Sequence, residues 1–400
     1  MKMDLFPLLA REGMPALLEA LGGGEGDTRF VGGCVRDSLL DLPVNDVDLA
    51  TRLSPDQVVT RLKAAGIKAV PTGIAHGTVT AVVASGPVEV TTLRRDVSTD
   101  GRRATVAFTD DWQEDAARRD FTINALSADP ATGALFDYFG GHEDVEARQV
   151  RFIGEALVRI AEDHLRILRF FRFHARFGRG APDQTGLDAC IERANDLMAL
   201  SRERIADELL KLLALPAPAA TVRLMATSGI FTPVLPEIDV EGAVRLEALV
   251  AAEVAAGMPA DPVRRLASIL PADPSVAAAV GARLRLSNKA VKRLMSAADL
   301  SGSEEAPAVL AYRIGGEEAV DRLLLAGKPD GAAGLGGWQR PRLGLGGGDL
   351  IAMGLKPGPV VAASFQALER QWAAEGFPAD PARQRAIARA IVDQLLRDTK

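Results

Sequence analysis

Apolar and polar positions change their rhythm along this chain. Residues 4–21, DLFPLLAREGMPALLEAL, place apolar side chains at helical spacing and predict one short amphipathic helix, ended by the glycine cluster at 22–26. That cluster lacks the strand-before, helix-after context of a nucleotide loop and reads as a linker. From Thr28 to about Tyr138 strand and helix patterns mix. ThrArgPheVal at 28–31 predicts a buried strand, while TVTAVVAS (78–85) and VEVTTLR (88–94) predict neighbouring strands joined at Gly86-Pro87. Beyond residue 145 an Ala/Leu/Arg-rich helical period persists to the C-terminus, broken at proline and glycine clusters such as 216–218 and 259–262. No fixed-period repeat emerges. The reading is α+β: a head of mixed sheet and helices followed by an all-helical part.

Composition narrows the class. Four hundred residues, 48% hydrophobic and 25% charged, describe a globular chain of more than one domain. No apolar run reaches the roughly 18–20 residues that span a bilayer, and acids within the first apolar stretch argue against a signal peptide. Two cysteines, Cys34 and Cys190, offer neither a metal-ligand spacing nor a disulfide framework, which points to a reducing cytoplasm. A net charge of −6 opposes bulk attraction to nucleic acid but leaves room for a local basic groove.

Candidate chemistry begins at FVGGCVRDSLLDLPVNDVDLAT, residues 30–51. Gly32-Gly33 lets the backbone turn close to a ligand. The helix that follows, with apolar residues at 35, 39 and 42, stops before Pro43. N–H groups at its start suit an anion such as a triphosphate, with Arg36 assisting. If NDVDLA is a strand, period-two alternation puts Asp46 and Asp48 on one face and Val47 and Leu49 on the other. Two crowded carboxylates repel each other unless a cation lies between them, and Mg²⁺ takes such oxygen ligands together with substrate phosphates. A solvated Asp-Val-Asp turn is the competing reading, and the upstream glycine turn tips the balance toward the site.

GGCVRD, then DVD, then RRDFTINAL (118–126) together resemble the class II tRNA nucleotidyltransferase and bacterial poly(A) polymerase family, across roughly 28–215. GGGDLIAMGLKPGP (346–359) resembles the family's C-terminal region. The resemblance implies a DNA-polymerase-β-type head with helical neck, body and tail. The corresponding divisions are 1–27 (N-terminal helix and linker), 28–145 (catalytic head), 146–215 (neck), 216–300 (body) and 301–400 (tRNA-binding tail). It implies that Asp46 and Asp48 hold two Mg²⁺ ions, that Gly33 belongs to the phosphate turn, that Arg119 contacts the triphosphate, and that Asp120 meets the sugar. Glu89 is the candidate third carboxylate. The polar stretch 95–112 matches the family's flexible loop, although Arg103 stands where histidine is common.

The segment RIAEDHLRILRFFRFHARFG (159–178) reads as one helix, with Ile160, Ile167, Leu168, Phe171 and Ala175 on a single arc. Glu162-Asp163-x-x-Arg166 reads either as an ordinary ion-paired helix face or, by resemblance, as the motif that selects the base. A carboxylate accepts from the amino group of cytosine or adenine while a guanidinium donates to the adjacent ring acceptor. Uracil O4 or guanine O6 would turn a lone pair toward the carboxylate. The resemblance gives Asp163 and Arg166 that role and makes Arg169 and Arg172 further nucleotide contacts; Phe170, Phe173 and Phe177 read mainly as packing. LSRERIADELLKLL (200–213) resembles the family's bracing helix. No histidine follows His174, which excludes a metal-dependent HD phosphohydrolase domain of the kind some relatives carry. The implied activity is addition of CCA to tRNA 3′ ends from CTP and ATP. The alternatives are poly(A) synthesis, CC-only addition, or a noncatalytic RNA-binding protein, and the last is disfavoured because both aspartates are present.

Overall fold

A computed structural model describes residues 2–100 and 103–398. Contacts divide the chain into two compact units: residues 1–212 with 224–236, and residues 213–223 with 237–400.

The first unit opens with two helices where one was expected, α1 (Phe6–Leu9) and α2 (Met14–Ala20). Gly13, at φ +87°, breaks the run, because a left-handed residue cannot continue a right-handed helix. The glycine cluster forms a tight turn over Gly23–Glu25. Strands β1 (Thr28–Val31) and β2 (Asp48–Thr51) flank α3 (Gly33–Leu39). Helix α4 (Pro55–Ala64) starts on a reciprocal Ser54–Gln57 capping box with Pro55 in its first turn, and leads to β3 (Lys68–Gly73). Strands β4 (Thr78–Val83) and β5 (Gly86–Thr92) form the expected antiparallel pair around Gly86-Pro87. Their inward Val79, Ala81, Val88 and Val90 are buried.

The seven-stranded sheet runs β3-β4-β5-β2-β1-β8-β9, with β8 at Ser127–Ala128 and β9 at Leu135–Phe136; β2 and β5 are parallel and the remaining pairs antiparallel. Strands β6 (Arg94–Asp100) and β7 (Arg103–Phe108) pair antiparallel in a separate two-stranded sheet. The Arg103 side chain lies outside the described residues. Helix α5 (Trp112–Ala117) follows.

Helices α6 (Gly141–Ala147), α7 (Ala156–Glu162), α8 (Arg166–Phe177), α9 (Gln184–Glu192) and α10 (Arg202–Leu213) come next. The single helix expected over 159–178 is therefore two. Asp163 leaves the helical region at φ −151°, ψ 104°, and its carboxylate accepts the Leu165 N–H at 3.1 Å, a local side-chain bond that replaces the helical ladder. The arc of 160, 167, 168 and 171 is nonetheless buried, because both helices face one core. Phe121, Phe152, Phe170 and Phe173 pack there with ring centroids 4.9–6.3 Å apart, the packing role expected of Phe170, Phe173 and Phe177.

The second unit is helical. Its interior holds charge as well as hydrocarbon: Asp321, fully buried, accepts from Arg264 at 2.8 Å and Arg293 at 2.7 Å, while buried Glu253 accepts from Arg264 and Arg265. Arg265 also donates to the Leu213 and Leu215 carbonyls at 2.7 and 2.5 Å. Farther along, Trp372 packs edge-on against Tyr312 and Phe377 in a separate core. Among the described residues no helix is long and apolar enough to cross a membrane.

Candidate nucleotidyl-transfer site

Sheet register gathers the acidic side of the site. Asp48 opens β2 and pairs across the parallel ladder with Glu89 on β5, so the two side chains share a face. Asp46 lies just before the strand, yet the alternation holds: Val47 and Leu49 are buried, while Asp46 is exposed and Asp48 half-buried. The Cys34 thiol, one residue past the glycine turn, lies 3.6 Å from the Asp48 carbonyl. Carboxylates and glycine turn are thus neighbours. Burial, then Glu89, and more weakly Asp46 push the Asp48 carboxyl above the usual range, against a pull from Arg119. Anions that crowd in this way favour an added cation. Among the described residues no three His, Cys, Asp or Glu groups close around a point as a finished metal cage. The open donor set fits a hard divalent ion that completes its shell with phosphate and water.

A cavity of about 440 Å³ lies beside these groups, lined by Gly32, Gly33, Arg36, Arg119, Asp120, Asn124, Asp163, Arg166, Arg169 and Phe173. Most of the nucleotide contacts singled out from sequence therefore meet at one surface. Gly32 has φ +68°, the left-handed region that favours glycine, and a Cβ there would come within 2.8 Å of Arg119 Nη1 and push that guanidinium aside. Arg119 donates to the Asn124 carbonyl at 3.2 Å and to Asp115 at 3.4 Å. Asp120 is buried. The Asn124 amide and the Phe121 N–H donate to one of its oxygens at 2.9 Å, and Arg169 holds the other at 2.6 Å. Burial alone would raise the Asp120 carboxyl, but Arg169 and these donors outweigh it and hold it low. Arg36 lines the cavity while bound to Asp37 and Asn124 and stacked 3.9 Å over Phe177.

The Asp163 and Arg166 side chains both line the cavity and are not bonded to each other, although the Arg166 N–H donates to the Asp163 carbonyl at 3.0 Å. Arg204 holds Asp163 at 2.8 Å, and Glu162 holds Arg166 at 2.6 Å. Arg166 Nη1 also donates to the Arg159 carbonyl at 2.8 Å, and Nη2 to the Arg118 carbonyl at 3.2 Å. Arg172 departs from expectation: it does not line this cavity, its Nε donates to buried Glu208 at 2.5 Å, and its guanidinium lies over Phe173. That carboxylate is on α10, far along the chain, so spacing along α8 could not reveal it. Asn124 and Arg204 were missed as site residues. Asn124 sits four residues after Asp120 within RRDFTINAL, a usable signal; Arg204 meets Asp163 only through the fold.

Residues 28–151 match the family described as the poly A polymerase head domain, and residues 183–241 match one described as the probable RNA and SrmB- binding site of polymerase A. The mouse protein CCA tRNA nucleotidyltransferase 1, mitochondrial, is 36% identical over 392 residues, 93% of this chain and 88% of that protein. The chain belongs to the tRNA nucleotidyltransferase and poly(A) polymerase family. Within this nucleotidyltransferase family the CCA-adding enzyme of Geobacillus thermodenitrificans is 41% identical over 205 residues, 51% of this chain and 49% of that protein. The Bacillus stearothermophilus CCA-adding enzyme, solved with CTP, superposes at a TM-score of 0.75 and 27% identity, covering 96% of this chain and 98% of that one. The Thermotoga maritima CCA-adding enzyme, solved with tRNA, shares the fold at a TM-score of 0.72 and 21% identity, with both chains fully covered. As a nucleotidyltransferase the protein depends on a divalent metal ion.

Proposed function

We propose that the protein adds CCA to the 3′ end of tRNA without a nucleic-acid template, using CTP and ATP and releasing pyrophosphate. The supporting observation is the convergence of the glycine turn, Arg119, Asp120 and the Asp163/Arg166 pair on one cavity beside Asp46, Asp48 and Glu89.

In this reading Asp46 and Asp48, with Glu89 across the ladder, would hold two Mg²⁺ ions, one of which would lower the pKa of the tRNA 3′-hydroxyl while the other would neutralise charge on the triphosphate and the departing pyrophosphate. The 3′-oxygen forms its bond to the α-phosphorus as the bond to the β-phosphate oxygen breaks. Gly32 and Gly33 let the backbone approach the phosphates, and Arg119 and Arg36 present positive charge to them. Asp120, fixed by Asn124 and Arg169, faces the sugar. Asp163 accepts from the amino group of C or A. Both Nη1 hydrogens of Arg166 are engaged, which leaves Nε–H and one Nη2–H to donate to the base. Arg169 supports this site through Asp120, and Arg172 supports the helix that frames it. The head (28–145) carries catalysis and the neck (146–215) base choice, while the body (216–300) and tail (301–400) take the tRNA backbone. The two buried, unpaired thiols fit work in a reducing compartment, the cytoplasm.

Purified protein given tRNA that lacks its 3′ terminus, with CTP, ATP or both, tests the reading by product length. Two added residues with CTP alone and three with both are expected. An open-ended A tail would establish poly(A) synthesis, and arrest after two residues with both nucleotides would establish a CC-only enzyme.

A further inference from the structure

Arg159 does not line the cavity and has no place among the residues singled out from sequence, yet its guanidinium joins two parts of the site. It is buried, 8% exposed, on α7. Its Nη1 donates to Glu162 Oε2 at 2.5 Å. The same Glu162 oxygen accepts from Arg166 Nη1 at 2.6 Å. One carboxylate oxygen therefore fixes two guanidiniums against each other. The Nη2 of Arg159 reaches across to the backbone carbonyl of Arg119. Arg166 does the same one residue earlier, at the carbonyl of Arg118. Two consecutive carbonyls, those of the triphosphate-side segment, are each capped by an arginine from either side of the α7–α8 break.

We propose that Arg159 is a positioning residue that couples Arg166, at the base, to the Arg118–Arg119 backbone, at the triphosphate. This rests on the nucleotidyl-transfer reading above and deepens it. Base choice by side chains requires the Asp163 and Arg166 donors and acceptors to hold their places relative to the α-phosphorus, since a base read in the wrong place is not a base discriminated. A planar guanidinium fork binds a carboxylate and a carbonyl at once, whereas an ammonium on a flexible stem holds one or the other with little angular control. The α7–α8 break supplies the reason such a brace is needed. Asp163 and Arg166 do not share a continuous helix; one turn bond, from the Arg166 N–H to the Asp163 carbonyl at 3.0 Å, ties their backbones but does not set where the two side chains point. The Glu162 bridge and the caps on the Arg118 and Arg119 carbonyls hold the Arg166 guanidinium in its place.

The test is Arg159→Lys, which keeps the charge and most of the stem, beside Glu162→Gln, which removes the shared carboxylate charge. Single-turnover incorporation of CTP and UTP on tRNA lacking CCA is measured for each, with thermal melting. Positioning predicts that both variants lower the CTP-over-UTP ratio by about tenfold, the worth of one misplaced charge-assisted hydrogen bond. It also predicts that the double variant falls no further than the worse single one, because both cut the same brace. A purely structural role would slow all nucleotides alike and leave the ratio unchanged, which overturns the proposal. Asp163→Asn run in parallel separates the two levels. If Asp163→Asn shifts the ratio and the Arg159 and Glu162 variants do not, the brace is refuted and the base-site reading stands. If none shifts it, the base-site reading itself fails and the brace fails with it.

Discussion

Asp163→Asn exposes the selectivity argument most fully. An ionised carboxylate only accepts, so it rewards the amino groups of C and A and repels O4 of U. Asparagine keeps the shape but presents either an oxygen or an NH₂, and can greet cytosine or uracil by turning over. The structure sets the size of the effect. Asp163 lines the cavity with part of its carboxylate accessible, and its side chain is 29% exposed. The lost term is one hydrogen bond to a charged group, about 1.5–3 kcal/mol, which is about a 10- to 150-fold fall in the CTP-over-UTP ratio of kcat/KM. Stability should scarcely change, because the Asp163–Arg204 pair is solvent-accessible on both sides and such pairs contribute about 0–1 kcal/mol. The assay is incorporation of each nucleotide singly, with melting as the control. A variant that loses activity with both nucleotides equally, at unchanged ratio, would refute the base-reading role.

Two further outcomes follow from buried charge. Asp115 accepts from Arg118 at 2.9 Å, Arg119 at 3.4 Å and the Arg94 N–H at 3.3 Å, at the start of β6. Burial pushes its carboxyl up, but the two arginines prevail and hold it below the ordinary value. A depressed carboxylate contributes stability above its unfolded pKa, about 4, and loses it as pH falls through the folded value. Denaturant midpoints of wild type and Asp115→Asn should therefore lie apart at neutral pH and converge below pH of about 4; a constant gap would contradict this. In the second unit, Asp321→Ala removes the buried carboxylate that Arg264 and Arg293 share, leaving Arg264 with Glu253 and Arg293 with Asp261 and Glu317. It should cost about 1.5–3 kcal/mol in denaturant melts, the worth of a hydrogen bond to a charged group. A loss under about 1 kcal/mol would mean that the network relaxes around the gap.

Much of the site was legible because its chemistry is local. Gly32-Gly33, the period-two placement of Asp46 and Asp48, and the charged-then-apolar run at 118–126 depend on neighbours within a few residues, and each arrived where its pattern put it. What stayed hidden lies across the chain. Helical periodicity ran on through 163–165 because Asp, His and Leu are all tolerated in helices, and only the Asp163-to-Leu165 bond marks the break. The same limit concealed Gly13, whose positive φ divides the first helix. The family resemblance made Arg172 a nucleotide contact, but in the structure it turns from the cavity to buried Glu208, 36 positions away. Arg204 and Arg159 carry no local signal of their roles, since the carboxylate and carbonyl that give them meaning come from elsewhere in the fold. Glu89 stands between these cases: its strand was evident, but its register opposite Asp48 was set by a parallel pairing that no local pattern specifies.

The most direct measurement is extension of 3′-truncated tRNA by Asp46→Ala in Mg²⁺, paired with tRNA affinity measured on the same preparation. Elongation should vanish while tRNA is held as tightly as by wild type. Continued incorporation at anything near the wild-type rate would contradict the assignment of the two aspartates as the metal-holding pair.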